Sequence, residues 1–95
     1  MTGKRLGERR EVFYRGQVQG VGFRYRSASI AARYRVTGFV QNLDDGRVHL
    51  VAEGEVGELD KFLADIADTL QNFIRDTQVD VGPATGEFEE FSIRS

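Results

Sequence analysis

The chain has no cysteine and no tryptophan, and only one proline, one methionine and one histidine among its 95 residues. Without cysteine there can be no disulfide, no thiolate metal site and no cysteine nucleophile, so the core must hold by packing alone. No run approaches the roughly 18 apolar residues of a spanning helix, and the opening MTGKRLGERRE lacks an apolar h-region. We therefore expect no membrane association, and the missing cysteines lean the location towards the cytoplasm. What is present describes a folded globule: 40% hydrophobic residues, seven Phe, and charged residues spread along the chain rather than massed in one block. The length suits one domain and leaves no room for a regulatory module.

The net charge of −2 hides an asymmetry. Met1 to Arg47 carries ten Lys/Arg against four Asp/Glu, and the remainder carries three against eleven. A nucleic-acid binder is usually basic over the whole domain, whereas a pocket for a small anion needs only a few converging donors on an otherwise acidic surface. The pattern favours the small anion.

Residues 1–10 have no hydrophobic periodicity and are expected to form a loose N-terminal arm before a domain over 11–95. Glu11 to Gln17 is β-branched and aromatic and runs into Gly16 and Gly20, which predicts a strand and a glycine-rich turn. From Val21 to Arg35, the positions Phe23, Ser27, Ile30, Ala31 and Tyr34 share one face of an amphipathic helix. Val36 to Leu43 and Arg47 to Glu53 predict a hairpin around Asp45-Gly46, with Val48, Leu50 and Ala52 inward. Glu58 to Leu70 places Leu59, Phe62, Leu63, Ile66 and Leu70 on one side of a second helix. Arg75 to Val81 and Phe88 to Arg94 read as two last strands, separated by Gly82-Pro83 and Gly86. The fold class is α+β: a ferredoxin-like sandwich of βαββαβ order plus a short extra strand, with an antiparallel sheet and two helices on one face. Right-handed crossovers would set the first and third strands side by side in the sheet centre.

Two places invite chemistry. Gly16 to Arg24, GQVQGVGFR, is a turn of little bulk that runs into a helix N-terminus, where free backbone N–H groups and the helix dipole favour an anion. Arg24, in the first helical turn, offers a planar fork of donors suited to two phosphoryl oxygens. Neither a Walker A loop nor a dinucleotide loop is present: no Lys-Ser/Thr pair follows Val21, and Gly20 and Gly22 are followed by Tyr25. A solvated Arg after a glycine turn is the plainer alternative. At the end of the next strand, Asn42 is out of place by β-propensity, and its uncharged amide could orient a water without repelling an anion. Asp44 and Asp45 are explained by the turn itself. His49 has no second His or Cys with which to share a metal and is expected on the surface of a strand, and Ser27 and Ser29 have no paired base.

GQVQGVGFR agrees with the GxVQGVxFR signature of the acylphosphatases at every fixed position, and Gly38, Phe39, Val40, Asn42, Gly46, Val48 and Gly54 fall at the spacing of that family's second signature. The chain thus resembles an acylphosphatase from about Val12 to Arg94. The resemblance implies hydrolysis of the carboxyl-phosphate bond of small acyl phosphates without a metal; no cofactor is expected, and the protein is expected to be a monomer. The same resemblance implies that Arg24 binds phosphate, Asn42 orients the nucleophilic water, and the backbone of Gln17, Val18, Gln19, Gly20 and Val21 forms the cradle. The chain departs from the family where a Gly-Pro pair often precedes the fourth strand; here that stretch reads LQNFIRD, Leu70 to Asp76.

Two other classes remain. A catalytically idle relative that merely binds acyl or carbamoyl phosphate would not need both Arg24 and Asn42. RNA-recognition domains share this order of elements, and Gly38-Phe39-Val40 echoes part of their signature, but Thr37 before it and Gln41-Asn42 after it do not fit, and the protein is acidic. Nucleic acid is not an expected partner.

Overall fold

The structure is a computed structural model that describes residues 7–95. Its elements are β1 (Glu8–Gly16), α1 (Phe23–Ala31), β2 (Thr37–Asn42), β3 (Val48–Gly54), α2 (Val56–Thr69), β4 (Ile74–Pro83) and β5 (Phe91–Arg94). The five strands form one sheet in the order β4-β1-β3-β2-β5, with β1 beside β3 as the crossover rule requires.

The first four strands pair antiparallel, but β5 lies parallel to β2, so the expected antiparallel sheet is in fact mixed. The cause is the route of the chain. Pro83 ends β4 opposite Glu8, and Phe91 begins β5 opposite Gly38, which sits at the same end of the sheet. A connection that returns along the end it left delivers a strand antiparallel to β4 and therefore parallel to β2. The opposite end is left to Gly16, Asn42, Val48 and Arg94, the last or first residues of four strands.

Glu8 to Arg10 do not belong to a loose arm. They pair with Gly54 to Ala52 on one side and with Pro83 to Val81 on the other. Their charges are met across the sheet and by a helix: Arg10 reaches Asp60 at 3.1 Å and Arg9 reaches Glu53 at 3.2 Å. Residues 1–6 of the expected arm lie outside the described residues.

The core lies between the sheet and the two helices. Val12, Tyr14, Val40, Val48, Leu50 and Ala52 pack there against Phe23, Ile30, Leu59, Phe62, Ile66 and Leu70, all buried. Each such large side chain contributes about 1.5–3 kcal/mol on leaving water. Burial also pushes the Tyr14 phenol well above its ordinary pKa. The loop lacking Gly-Pro is a tight turn, in which the Phe73 N–H donates to the Leu70 carbonyl at 3.0 Å and β4 begins at Ile74.

The other sheet face is not bare, because the 84–90 connection lies along it. Glu53, 4% exposed, accepts hydrogen bonds from the N–H groups of Thr85 and Gly86 and from the Thr85 hydroxyl, at 2.8–3.0 Å. Desolvation works against its ionisation, yet these donors and Arg9 outweigh it and hold the carboxyl below its ordinary value. Phe88 packs on Phe39, and Arg94 covers Phe39 from 3.7 Å. Val51 and Glu53 are therefore buried as well as the inward residues of β3.

Candidate active site

β1 ends at Gly16, and the chain then turns through residues 17–22 into α1. Gly20 (φ 80°) and Gly22 (φ 77°) are both left-handed, a conformation that a residue with a Cβ adopts only at a cost. Gly22 is the N-cap of α1, so no side chain caps the helix, and no acidic residue stands in its first turn. The first intrahelical bond runs from the Arg26 N–H to the Gly22 carbonyl at 2.9 Å, which leaves the amides of Phe23 and Arg24 without an intrahelical acceptor. Nothing in that turn competes electrostatically with an incoming anion.

Arg24 is half-buried beside this loop, and its Nη1 donates to the Arg94 carbonyl at the end of β5, 2.9 Å away. Among the described residues no carboxylate pairs with it. Asn42 is the last residue of β2, and its Oδ1 is buried with no hydrogen-bond partner. An unmatched acceptor of this kind typically costs about 1–3 kcal/mol, so its retention calls for a reason. Arg24 and Asn42 border one cleft of about 200 Å³, with the buried Val18 and Phe23 at its base and Tyr25 and Ile93 at its rim.

The remaining expected site residues are placed as follows. Val18 and Gly20 line the cleft, while Val21 is half-buried against the core. The Gln17 side chain is exposed and borders a separate depression with Arg15, Arg47 and Arg75. The side chain of Gln19 turns away to the hairpin, where Nε2 donates to the carbonyls of Leu43 and Arg47 at 2.8 and 2.9 Å. That tie joins the glycine turn to the loop after Asn42, and sequence reasoning gave Gln19 no side-chain role. It foresaw the strand β5 but missed that strand's place at the cleft, where it supplies Ile93 and the Arg94 carbonyl. No local pattern could have found either, because both are long-range contacts.

The other candidates stand apart. Asp45 accepts from the N–H of Arg47 at 3.1 Å and from its Nε at 2.8 Å, and that backbone bond leads in holding its carboxyl below the ordinary value. It is a turn residue. His49 is not on the surface as expected: its side chain is 13% exposed, stacked on Phe13 at 4.6 Å, with Nε2 2.8 Å from Glu11 and Nδ1 3.0 Å from Gln41. It lies on the sheet face away from the helices, because Val48 and Leu50 on either side of it point into the core. Among the described residues no cluster of His, Asp or Glu could hold a metal ion, and no helix is long and apolar enough to cross a membrane.

One end of the sheet thus gathers a glycine turn, a helix N-terminus, a guanidinium with no carboxylate partner among the described residues and a buried amide oxygen, in an α+β domain. Comparison with known proteins narrows the class. The profile of the acylphosphatase family matches residues 10–93. An acylphosphatase of Methanospirillum hungatei is 48% identical over 66 residues, spanning 70% of this chain and 72% of that protein. One of Archaeoglobus fulgidus is 50% identical over 54 residues, 57% of this chain and 61% of its own. Among solved structures, the acylphosphatase from Bacillus subtilis superposes with a TM-score of 0.83 at 31% identity, covering 93% of this chain and 99% of that one. The chain belongs to the acylphosphatase family, and acyl phosphate hydrolysis is the activity that membership carries.

Proposed function

We propose that the protein hydrolyses small acyl phosphates at this cleft, with Arg24 and the backbone of residues 17–21 binding the phosphoryl group and Asn42 orienting the attacking water. The observation that carries the reading is the shared cleft: a guanidinium with no acidic partner among the described residues and a buried, unmatched amide oxygen border the cleft that the glycine turn lines. A water donating one hydrogen to Asn42 Oδ1 presents its lone pairs towards phosphorus. The new bond forms from water oxygen to phosphorus as the bond from phosphorus to the acyl oxygen breaks, and the acyl group leaves as a carboxylate. The leaving group is already stable as an anion, so the water's proton can pass to phosphate or solvent and no strong base is needed. The cradle amides and Arg24 stabilise the charge that spreads over the equatorial oxygens, a preorganised effect for which one lost donor costs roughly 3 kcal/mol, or about a hundredfold in rate.

A metal-independent monomer working in the cytoplasm is part of the same reading; that the residues lining the cleft all come from one chain supports the monomer. Phosphate release from an acyl phosphate, measured with chelator present for the parent, Arg24→Ala and Asn42→Ala, tests it. Chelator-resistant turnover that both substitutions suppress is the expected result; full activity in either variant would refute the assignment of that residue.

A further inference from the structure

The same end of the sheet holds a second depression, of about 330 Å³, bordered by Arg15, Gln17, Asp45, Arg47, Arg75 and Asp76 and sharing no lining residue with the cleft. Its three guanidiniums come from the end of β1, the residue before β3 and the start of β4. Arg15 and Arg47 stand one position beyond Tyr14 and Val48, the last pair of β1 with β3, so two like charges adjoin where the ladder stops, at a cost in stability. Gly16 brings in the third. Its φ of 133° and the register shift beside Arg15 let β4 start so close by that a Cβ on Gly16 would lie 2.7 Å from the Arg75 nitrogen and 3.3 Å from its Cβ. Arg47 is paired with Asp45 at 2.8 Å, but among the described residues Arg15 and Arg75 form no ion pair, and neither does Asp76, which stands opposite Arg15 across β1 and β4. The hydrolysis proposed above uses none of these side chains.

We propose that this depression is a second oxyanion site, separate from the cleft, that binds a small phosphate ester carrying hydroxyl groups. Guanidinium forks match the oxygens of a phosphate dianion, whose charge relieves the repulsion among three gathered cations. A bare anion would also meet Asp76, an acceptor that needs a donor. A ligand hydroxyl supplies that donor, and the Gln17 amide can donate or accept beside it. The volume lies at the low end of small-molecule sites, which suits a phosphate on a short polyol rather than a nucleotide. Such binding does not require hydrolysis at the cleft.

Backbone amide shifts of the full chain, followed by NMR during titration with glycerol phosphate, test it. A saturable set of shifts at Arg15, Gln17, Arg47, Arg75 and Asp76 is expected, and glycerol, which lacks the phosphate, should produce none. Arg15→Gln combined with Arg75→Gln should weaken that set by at least about tenfold, while shifts at Phe23, Arg24 and Asn42 keep their affinity. Asp76→Ala should lower the affinity of the depression for glycerol phosphate relative to inorganic phosphate. The site is overturned by shifts confined to the cleft, by shifts at the depression that survive the double substitution, or by loss of binding at both places together. Equal shifts with glycerol, or a relative affinity that Asp76→Ala leaves unchanged, overturn it as a site for a hydroxyl-bearing phosphate ester.

Discussion

The two helices differ in ways that separate packing from function. α2 is fourteen residues long, buries Leu59, Phe62 and Ile66 along one stripe with Leu70 at its C-cap, and has Glu58 in its first turn, where an acid suits the helix dipole. α1 is nine residues long, has a glycine at its N-cap and a cation rather than an acid in its first turn, and buries Ser27 with no partner for its hydroxyl. Every choice that weakens α1 as a helix leaves its N-terminus open to an anion or belongs to a short element held by its neighbours. α2 serves packing alone, whereas α1 combines buried Phe23, Ile30 and Ala31 with an N-terminus that borders the cleft.

Substitutions can break that division. Phe62→Ala removes a fully buried ring that touches Tyr34 and Phe91, and about 3–5 kcal/mol of stability should go with it, read from the denaturant midpoint. Arg24→Ala should do the reverse. Turnover falls at least about a hundredfold, while stability shifts by less than about 1 kcal/mol, since losing the bond to Arg94 is offset by removing a cation from a helix N-terminus. A collapse of the fold in Arg24→Ala would mean that α1 is structural after all.

Asn42→Ala should lower kcat with KM held, because the phosphate contacts remain; a raised KM with unchanged kcat would contradict the water-orienting role. At the far end of the sheet, Glu53 adds a pH dependence. Its folded pKa is depressed, so its contribution is complete above the ordinary carboxylate value of 4.5 and is lost as pH falls through the lower folded value. Denaturation midpoints followed from neutral pH to about pH 3 should fall more steeply for the parent than for Glu53→Gln. The smallest effect belongs to Ser27→Ala, expected to raise stability by about 1 kcal/mol by deleting a buried hydroxyl that bonds to nothing.

Both helices and their buried faces could be read from the chain, because Phe23, Ser27, Ile30 and Ala31, and Leu59, Phe62, Ile66 and Leu70, repeat at helical spacing. The ends could not. α1 begins two residues later than its pattern, because Gly22 takes a left-handed conformation, and stops before Tyr34, which instead donates a hydrogen bond from its hydroxyl to Asp65 at 2.9 Å. β1 was read as starting too late because Glu8, Arg9 and Arg10 look like a solvated run until Glu53 and Asp60 are seen opposite them. Of the site, Arg24 and Asn42 stood out by residue type and position and the structure places them at one cleft, but the contribution of β5 depends on a parallel pairing that no local pattern encodes.

The amide of Gln19 spans the Leu43 and Arg47 carbonyls across the mouth of the hairpin. One nitrogen thereby ties together two loops that are far apart in the chain, the hairpin turn around Asp44 to Gly46 and the glycine turn beside Arg24. On the proposed function, a substitution in that hairpin tip that breaks the tie would be read out as a change in how the glycine turn holds phosphate.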